Sequence, residues 1–159
     1  MLWLHLKPAI TSQYFLDTCA DLVTREEFTI LKGILEGELP ESSYAVLKQW
    51  SDFEGALKNE LVRLRSGRKR KDPARYLRQN NYWSSEIPHI AMAAYKNTSI
   101  LEAERILDSQ RWRFLDNLSF GHYFDFEFLI IYALKLRIIQ RWERIRISHR
   151  QELLERALN

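Results

Sequence analysis

Glu86 and His89 stand three residues apart, the spacing by which carboxylate-bridged di-iron bundles present two ligands from one helix face. That chemistry needs a second such pair and further inward glutamates, and the chain supplies neither. His5, His122 and His149 have no ligand-like spacing around them. Cys19 falls on an apolar helix face with no cation close by in sequence, the setting of a buried structural thiol rather than a nucleophile. There is no Gly-x-Ser-x-Gly elbow, no glycine-rich phosphate loop and no dinucleotide fingerprint. The residues therefore predict no catalytic centre, no metal site, no cofactor and no small-molecule substrate, and the chain reads as a protein that is not an enzyme.

Charge is more informative than catalysis. The formal net charge is +3, but residues 1–62 carry 5 basic and 10 acidic side chains, and the remainder carries 19 basic and 11 acidic. Such a split points to an acidic partner for the C-terminal part, set against the plainer reading of an arginine-rich solvated face. The strongest run is Arg65-Ser66-Gly67-Arg68-Lys69-Arg70-Lys71, followed closely by Arg75, Tyr76, Arg78, Tyr82 and Trp83. Cations with interleaved aromatics are the minimum for binding single-stranded nucleic acid. No recognised nucleic-acid-binding motif accompanies them, so a basic inter-helix loop over 65–73 is the preferred reading.

The elements that must position these residues are helices. Ser12 to about Ala20 predicts a short helix presenting Phe15, Leu16 and Cys19. Thr24-Arg25-Glu26-Glu27 is a capping box, followed by Phe28, Leu31 and Leu35, with Gly37 as the stop. Pro40 suits the first turn of a third helix, whose apolar stripe runs Tyr44, Leu47, Trp50, Phe53, Leu57, Leu61 and Leu64. Asp72-Pro73 predicts a cap and first turn for a short helix to Gln79, and Ser85 to about Tyr95 predicts another. Ser99-Ile100-Leu101-Glu102 is a second capping-box pattern, with Gly121 placed to end the helix behind it. Within it, Glu104, Asp108 and Arg111 share a face and could hold Lys135 or Arg137 in an ion-pair network.

Asp125 can cap the last helix, expected through Leu158, and its opening is unusually apolar. Phe124, Phe128, Tyr132, Leu136, Ile139 and Trp142 form its expected inward stripe, with Arg137, Arg141 and Arg144 on another side. The longest uninterrupted apolar run, Phe128 to Leu134, is far short of the roughly 20 residues of a membrane span. The opening MLWLHLKP lacks the features of a signal peptide, and one cysteine cannot form an intrachain disulfide, so a cytoplasmic protein is expected. The apolar fraction of 46% excludes a disordered tail, and five glycines and four prolines are too few for an all-β domain rich in tight turns. The chain predicts an all-α fold, a single multi-helix domain over 1–159 with a long C-terminal helix.

Four stretches resemble a family of bacterial helical proteins associated with V-type ATP synthases, itself similar to the funnel-shaped C component of the V/A-type central stalk (d in eukaryotes). They are Pro8-Ala9-Ile10-Thr11-Ser12 with Phe15, Leu16 and Cys19; Trp50-Ser51-Asp52-Phe53-Glu54 with Leu57, Lys58, Asn59, Glu60 and Arg65; Glu102 to Asp108 with Arg111, Trp112 and Leu115; and His122-Tyr123-Phe124-Asp125 with Leu129, Tyr132, Ala133, Lys135, Leu136, Arg141 and Trp142. Lys58 stands where that pattern more often has arginine, and the chain is about half the length of the full central-stalk component with its three helical units. The resemblance implies a non-catalytic subunit or accessory protein that couples or docks the central stalk to the membrane rotor ring. Its partners would be stalk and rotor subunits, and it would be peripheral to the inner membrane, meeting the bilayer only through the complex. The implied docking residues are the basic ones of the last helix, Arg137, Arg141 and Arg144 with Arg146 and Arg150, together with Arg68, Lys69, Arg70 and Lys71. The alternative is a small basic nucleic-acid-binding helical protein.

Overall fold

The computed structural model describes residues 10–40, 43–80 and 82–158, with side chains through residue 148 and at residue 151. His5, the opening through Ala9, and the side chains of His149 and Arg150 lie outside the described residues. The fold is all-α: among the described residues there are six α-helices, one 3-10 turn and no strand. The helices are α1 (Ser12–Ala20), α2 (Arg25–Glu36), α3 (Ala45–Lys69), α4 (Glu86–Lys96), α5 (Ile100–Leu118) and the long C-terminal α6 (Phe126–Leu158), with the 3-10 turn at Pro73–Arg75. They gather into two compact units. A terminal unit takes residues 1–41 and 119–159 from the two ends of the chain, and a middle unit is the continuous stretch 42–118.

In the terminal unit, local sequence sets the helix ends. Thr11 Oγ1 accepts from the Tyr14 amide and starts α1. Thr24 Oγ1 accepts from the Glu27 amide, while the Glu27 carboxylate accepts from the Thr24 amide at 2.8 Å, so both halves of the capping box are made. Gly37 ends α2 with φ +102°, a conformation that glycine adopts without steric cost. A Cβ at Gly37 would also come within 3.4 Å of Arg137 Nη2, so the guanidinium lies against the C-terminal end of α2, where the helix dipole favours a cation. Phe15 and Cys19 of α1 and Ile30, Leu31 and Ile34 of α2 are buried, and α2 packs on α6. Phe15 stacks on Tyr132 at 5.3 Å between ring centroids, and Ser12 Oγ donates to Gln140 at 2.7 Å.

Along α6 the buried residues are Ile130, Ile131, Ala133, Leu134, Leu136, Ile138 and Trp142, a wider face than the expected stripe. The start of that stripe is wrong: Phe128 is exposed and Phe124 is fully so. Phe124 precedes Asp125, whose Oδ1 accepts from the Phe128 amide and caps α6, so it lies outside the helix and does not share its periodicity. No helix among the described residues is long and apolar enough to cross a membrane.

The middle unit is built on α3, which packs on α4, as α4 does on α5. Phe53 and Phe114 stack at 4.2 Å, Tyr82 meets both rings edge-on near 6 Å, and Trp50 lies beside them. Offset and edge-on rings contribute roughly 0.5–1.5 kcal/mol per pair beyond the area they bury. Pro40 does not open α3, which starts five residues later at Ala45. At its other end α3 continues through Arg65–Lys69, so the expected 65–73 loop shrinks to the short link before Pro73. Asp72 does act as a cap, accepting from the Ala74 amide, but only a 3-10 turn forms behind it. The Asn59 side chain then holds the Arg78 backbone through both its N–H and its carbonyl, keeping the segment extended against α3. Gly55 is needed here because Asn80, which donates to Asp52 O and accepts from the Tyr82 amide, occupies the space a Cβ would fill.

Candidate docking surfaces

The charged residues of α3 and α5 meet inside the middle unit. Arg111 Nε donates to Glu54 Oε1 at 2.5 Å and Arg111 Nη1 to Asp108 at 2.9 Å, with Glu104 at 3.9 Å. Asp108 is fully buried and the Arg111 side chain is 13% exposed. Burial alone would push the Arg111 guanidinium down, but attraction and hydrogen bonding to Glu54 and Asp108 outweigh it and hold it above the ordinary arginine range. The helical spacing of Glu104, Asp108 and Arg111 was legible in the sequence; Glu54, 57 residues away, was not. Lys58 adds a second, more exposed cation to Glu54 at 3.3 Å. Through Glu54 and Arg111 this cluster ties α5 to α3.

The basic end of α3 is different. Arg65, Arg68, Lys69, Arg70, Lys71 and Arg75 are all exposed, and none has an acidic partner among the described residues. Arg70 terminates α3 in a left-handed conformation with φ +49°, and the Lys71 amide returns to Ser66 O at 3.1 Å. That turn holds Arg68 to Lys71 together at a helix terminus rather than along a loose loop. Beside it, Arg65, Arg68 and Lys69 line an open groove of about 300 Å³ together with Tyr95, Ile100, Glu104 and Leu107. The sequence candidates on α6 are less uniform: Arg137 and Arg141 are half-buried, each with interactions inside the chain, whereas Arg144 is exposed.

The histidines also separate. Glu86 and His89 are exposed in the first turns of α4. His122, without ligand-like spacing in the sequence, is carried by the turn before α6 to within 2.6 Å of Asp125, with Glu127 close by. Both Asp125 oxygens are already engaged, one by the His122 ring and the other by the Phe128 amide. The His122 hydrogen bond, with the Phe128 amide adding to it, holds the Asp125 carboxyl below the usual carboxylate value. Burial pushes the Cys19 thiol up, which keeps it protonated and unreactive.

An apolar surface that sequence reasoning missed lies at this end of the terminal unit. Leu22, Tyr123, Phe124 and Phe128 are exposed around a groove of about 400 Å³, whose charged lining residues are Glu27 and Asp125. Phe120, just upstream, is exposed as well. Placing Asp125 as the helix cap carried the signal, because it puts Tyr123 and Phe124 before the helix begins.

Residues 86–158 match the model of a family described as "Protein of unknown function (DUF2764)". No curated protein and no solved structure matches the chain. The matched segment spans α4, α5 and α6 and so includes both the Asp108–Arg111 pair and the exposed Tyr123-Phe124-Asp125 turn.

Proposed function

We propose that the chain is a non-catalytic subunit or accessory protein of a V-type ATP synthase, docking or coupling the central stalk to the membrane rotor ring. The reading starts from the resemblance of its four motifs to the proteins associated with that enzyme. The observation that carries it furthest is the basic end of α3: six exposed cations without acidic partners among the described residues, four of them held by a helix terminus. An unneutralised charge cluster of this kind steers and registers an acidic protein surface. Docking needs shape and charge, and the buried Arg111–Glu54 pair joins α3, which carries the basic end, to α5.

The test is co-purification. A tagged chain is expected to bring down stalk and rotor subunits of a V-type ATP synthase, and changing Arg68, Lys69, Arg70 and Lys71 together to glutamate is expected to release them. A chain that never associates with the enzyme overturns the reading.

One observation favours a second reading. Tyr76 and Trp83 are exposed within and just beyond the basic run, as stacking platforms for single-stranded nucleic acid are. Affinity for a single-stranded oligonucleotide that falls steeply with salt supports this alternative, and no binding at low salt removes it.

A further inference from the structure

The exposed apolar groove of the terminal unit lies outside the basic surface on which the proposed function rests. Phe124 occupies the position just before a helix cap, where an apolar residue commonly folds back onto the fourth helical residue as a staple. Here that residue is Leu129, which is only partly covered, and Phe124 is 104% exposed. Leu22, at 77% exposure, faces the same groove from the α1–α2 turn. Several large apolar side chains exposed around one groove of a folded protein point to an interaction site. Both walls are fixed in advance: the Thr24–Glu27 capping box holds one, and the His122–Asp125–Phe128 hydrogen bonds hold the other. A preformed groove spares a partner much of the cost of ordering it.

Charge selects the occupant. Both charged residues lining the groove, Glu27 and Asp125, are carboxylates. Asp21 and Glu26 are exposed on the adjoining turn and first turn of α2, and Arg25 is the cation among them. A second copy of the chain meeting this face through a two-fold axis would set carboxylates against carboxylates. An anionic membrane surface would be repelled by the same groups. We infer that the groove takes an amphipathic helix with a basic flank from a partner protein, seating its apolar side chains between Leu22 and Phe124 and its lysines or arginines beside Glu27 and Asp21.

The inference is tested by fluorescence anisotropy with two synthetic helical peptides, one with leucines at helical spacing and lysines elsewhere, the other with every lysine replaced by glutamate. The lysine peptide is expected to bind and the glutamate peptide not. Phe124→Ser is expected to weaken binding roughly tenfold or more, the scale of losing one anchoring aromatic. An Asp21→Lys/Glu26→Lys double variant is expected to weaken it too. Both changes are at exposed positions, and an unchanged circular dichroism spectrum separates lost binding from lost fold. Failure of the lysine peptide to bind, equal binding of both peptides, or no effect of Phe124→Ser overturns the inference. So does a dimer, seen by light scattering, that Phe124→Ser dissociates, or vesicle binding that Phe124→Ser abolishes. Co-purification with the ATP synthase reads the basic surface instead, so either result can fail without the other.

Discussion

Arg111 on α5 is held by Glu54 on α3, with its Nε 2.5 Å from one carboxylate oxygen and its Nη2 3.4 Å from the other. The two residues belong to separate motifs of the sequence, and their pairing explains why each motif carries a charge on an otherwise apolar helix face. Asp108 completes the arrangement from within α5. A buried guanidinium between two carboxylates cannot lose one member without leaving the others uncompensated.

Arg111→Ala is therefore expected to cost about 3–5 kcal/mol of unfolding free energy, the scale for breaking a buried ion pair. Arg111→Lys keeps the charge but not the planar fork, and recovers only part of the loss. Urea denaturation monitored by circular dichroism checks both. A loss below about 1 kcal/mol for Arg111→Ala, the scale of a surface pair, contradicts the structural role of the cluster.

Gly55 gives a second expectation, of opposite sign to helix propensity. Gly→Ala in an open helix interior stabilises by about 1 kcal/mol. At Gly55 the new Cβ must displace Asn80 and its bonds to Asp52 O and the Tyr82 amide. Each such bond contributes about 1 kcal/mol, so Gly55→Ala is expected to be net destabilising. In the Asn80→Ala background the same change is expected to stabilise, and a double-mutant cycle measures the reversal.

The two ends of the expected α6 stripe should behave differently. Leu136 is buried, and Leu136→Ala is expected to cost about 2–5 kcal/mol. Phe124→Ser, at a fully exposed position, is expected to stay within about 0.5 kcal/mol of the parent. Thermal melts of the two variants distinguish them directly.

Acid tests the turn before α6. The folded-state pKa of Asp125 lies below its ordinary carboxylate value, first through the His122 hydrogen bond and then through the Phe128 amide. A depressed carboxylate stabilises the fold above its unfolded pKa, and that contribution disappears as pH falls through the folded value. The parent is thus expected to melt above Asp125→Asn at pH 5 and to converge with it only below the ordinary aspartate range. A gap between the two melting temperatures that does not change with pH contradicts this.

Local signals gave the helices and several of their ends. Thr24, Gly37, Asp72 and Asp125 all act where their residue types place them, because caps depend on three or four neighbours. Ser99 shows the limit of such reading. It accepts from the Glu102 amide, but its own amide donates to Asn97, and Glu102 turns to Arg105, so the second capping box closes on one side only. Pairings distant in sequence were not legible. Nothing local marks Glu54 as the partner of Arg111, or Asn80 as the reason for Gly55. The apolar groove was hidden by a periodicity argument that carried the α6 stripe one turn too far, onto Phe124.

The terminal unit is assembled from both ends of the chain, and this gives synthesis a direction. When residue 118 has left the ribosome, every helix of the middle unit is present and can pack. At that moment α1 and α2 still lack α6, the helix on which α2 packs, and their apolar faces stay uncovered until it emerges. Because α6 follows both of these helices in the chain, the buried residues of α1 and α2, from Phe15 to Ile34, are made well before the helix that covers Phe15 and packs on α2.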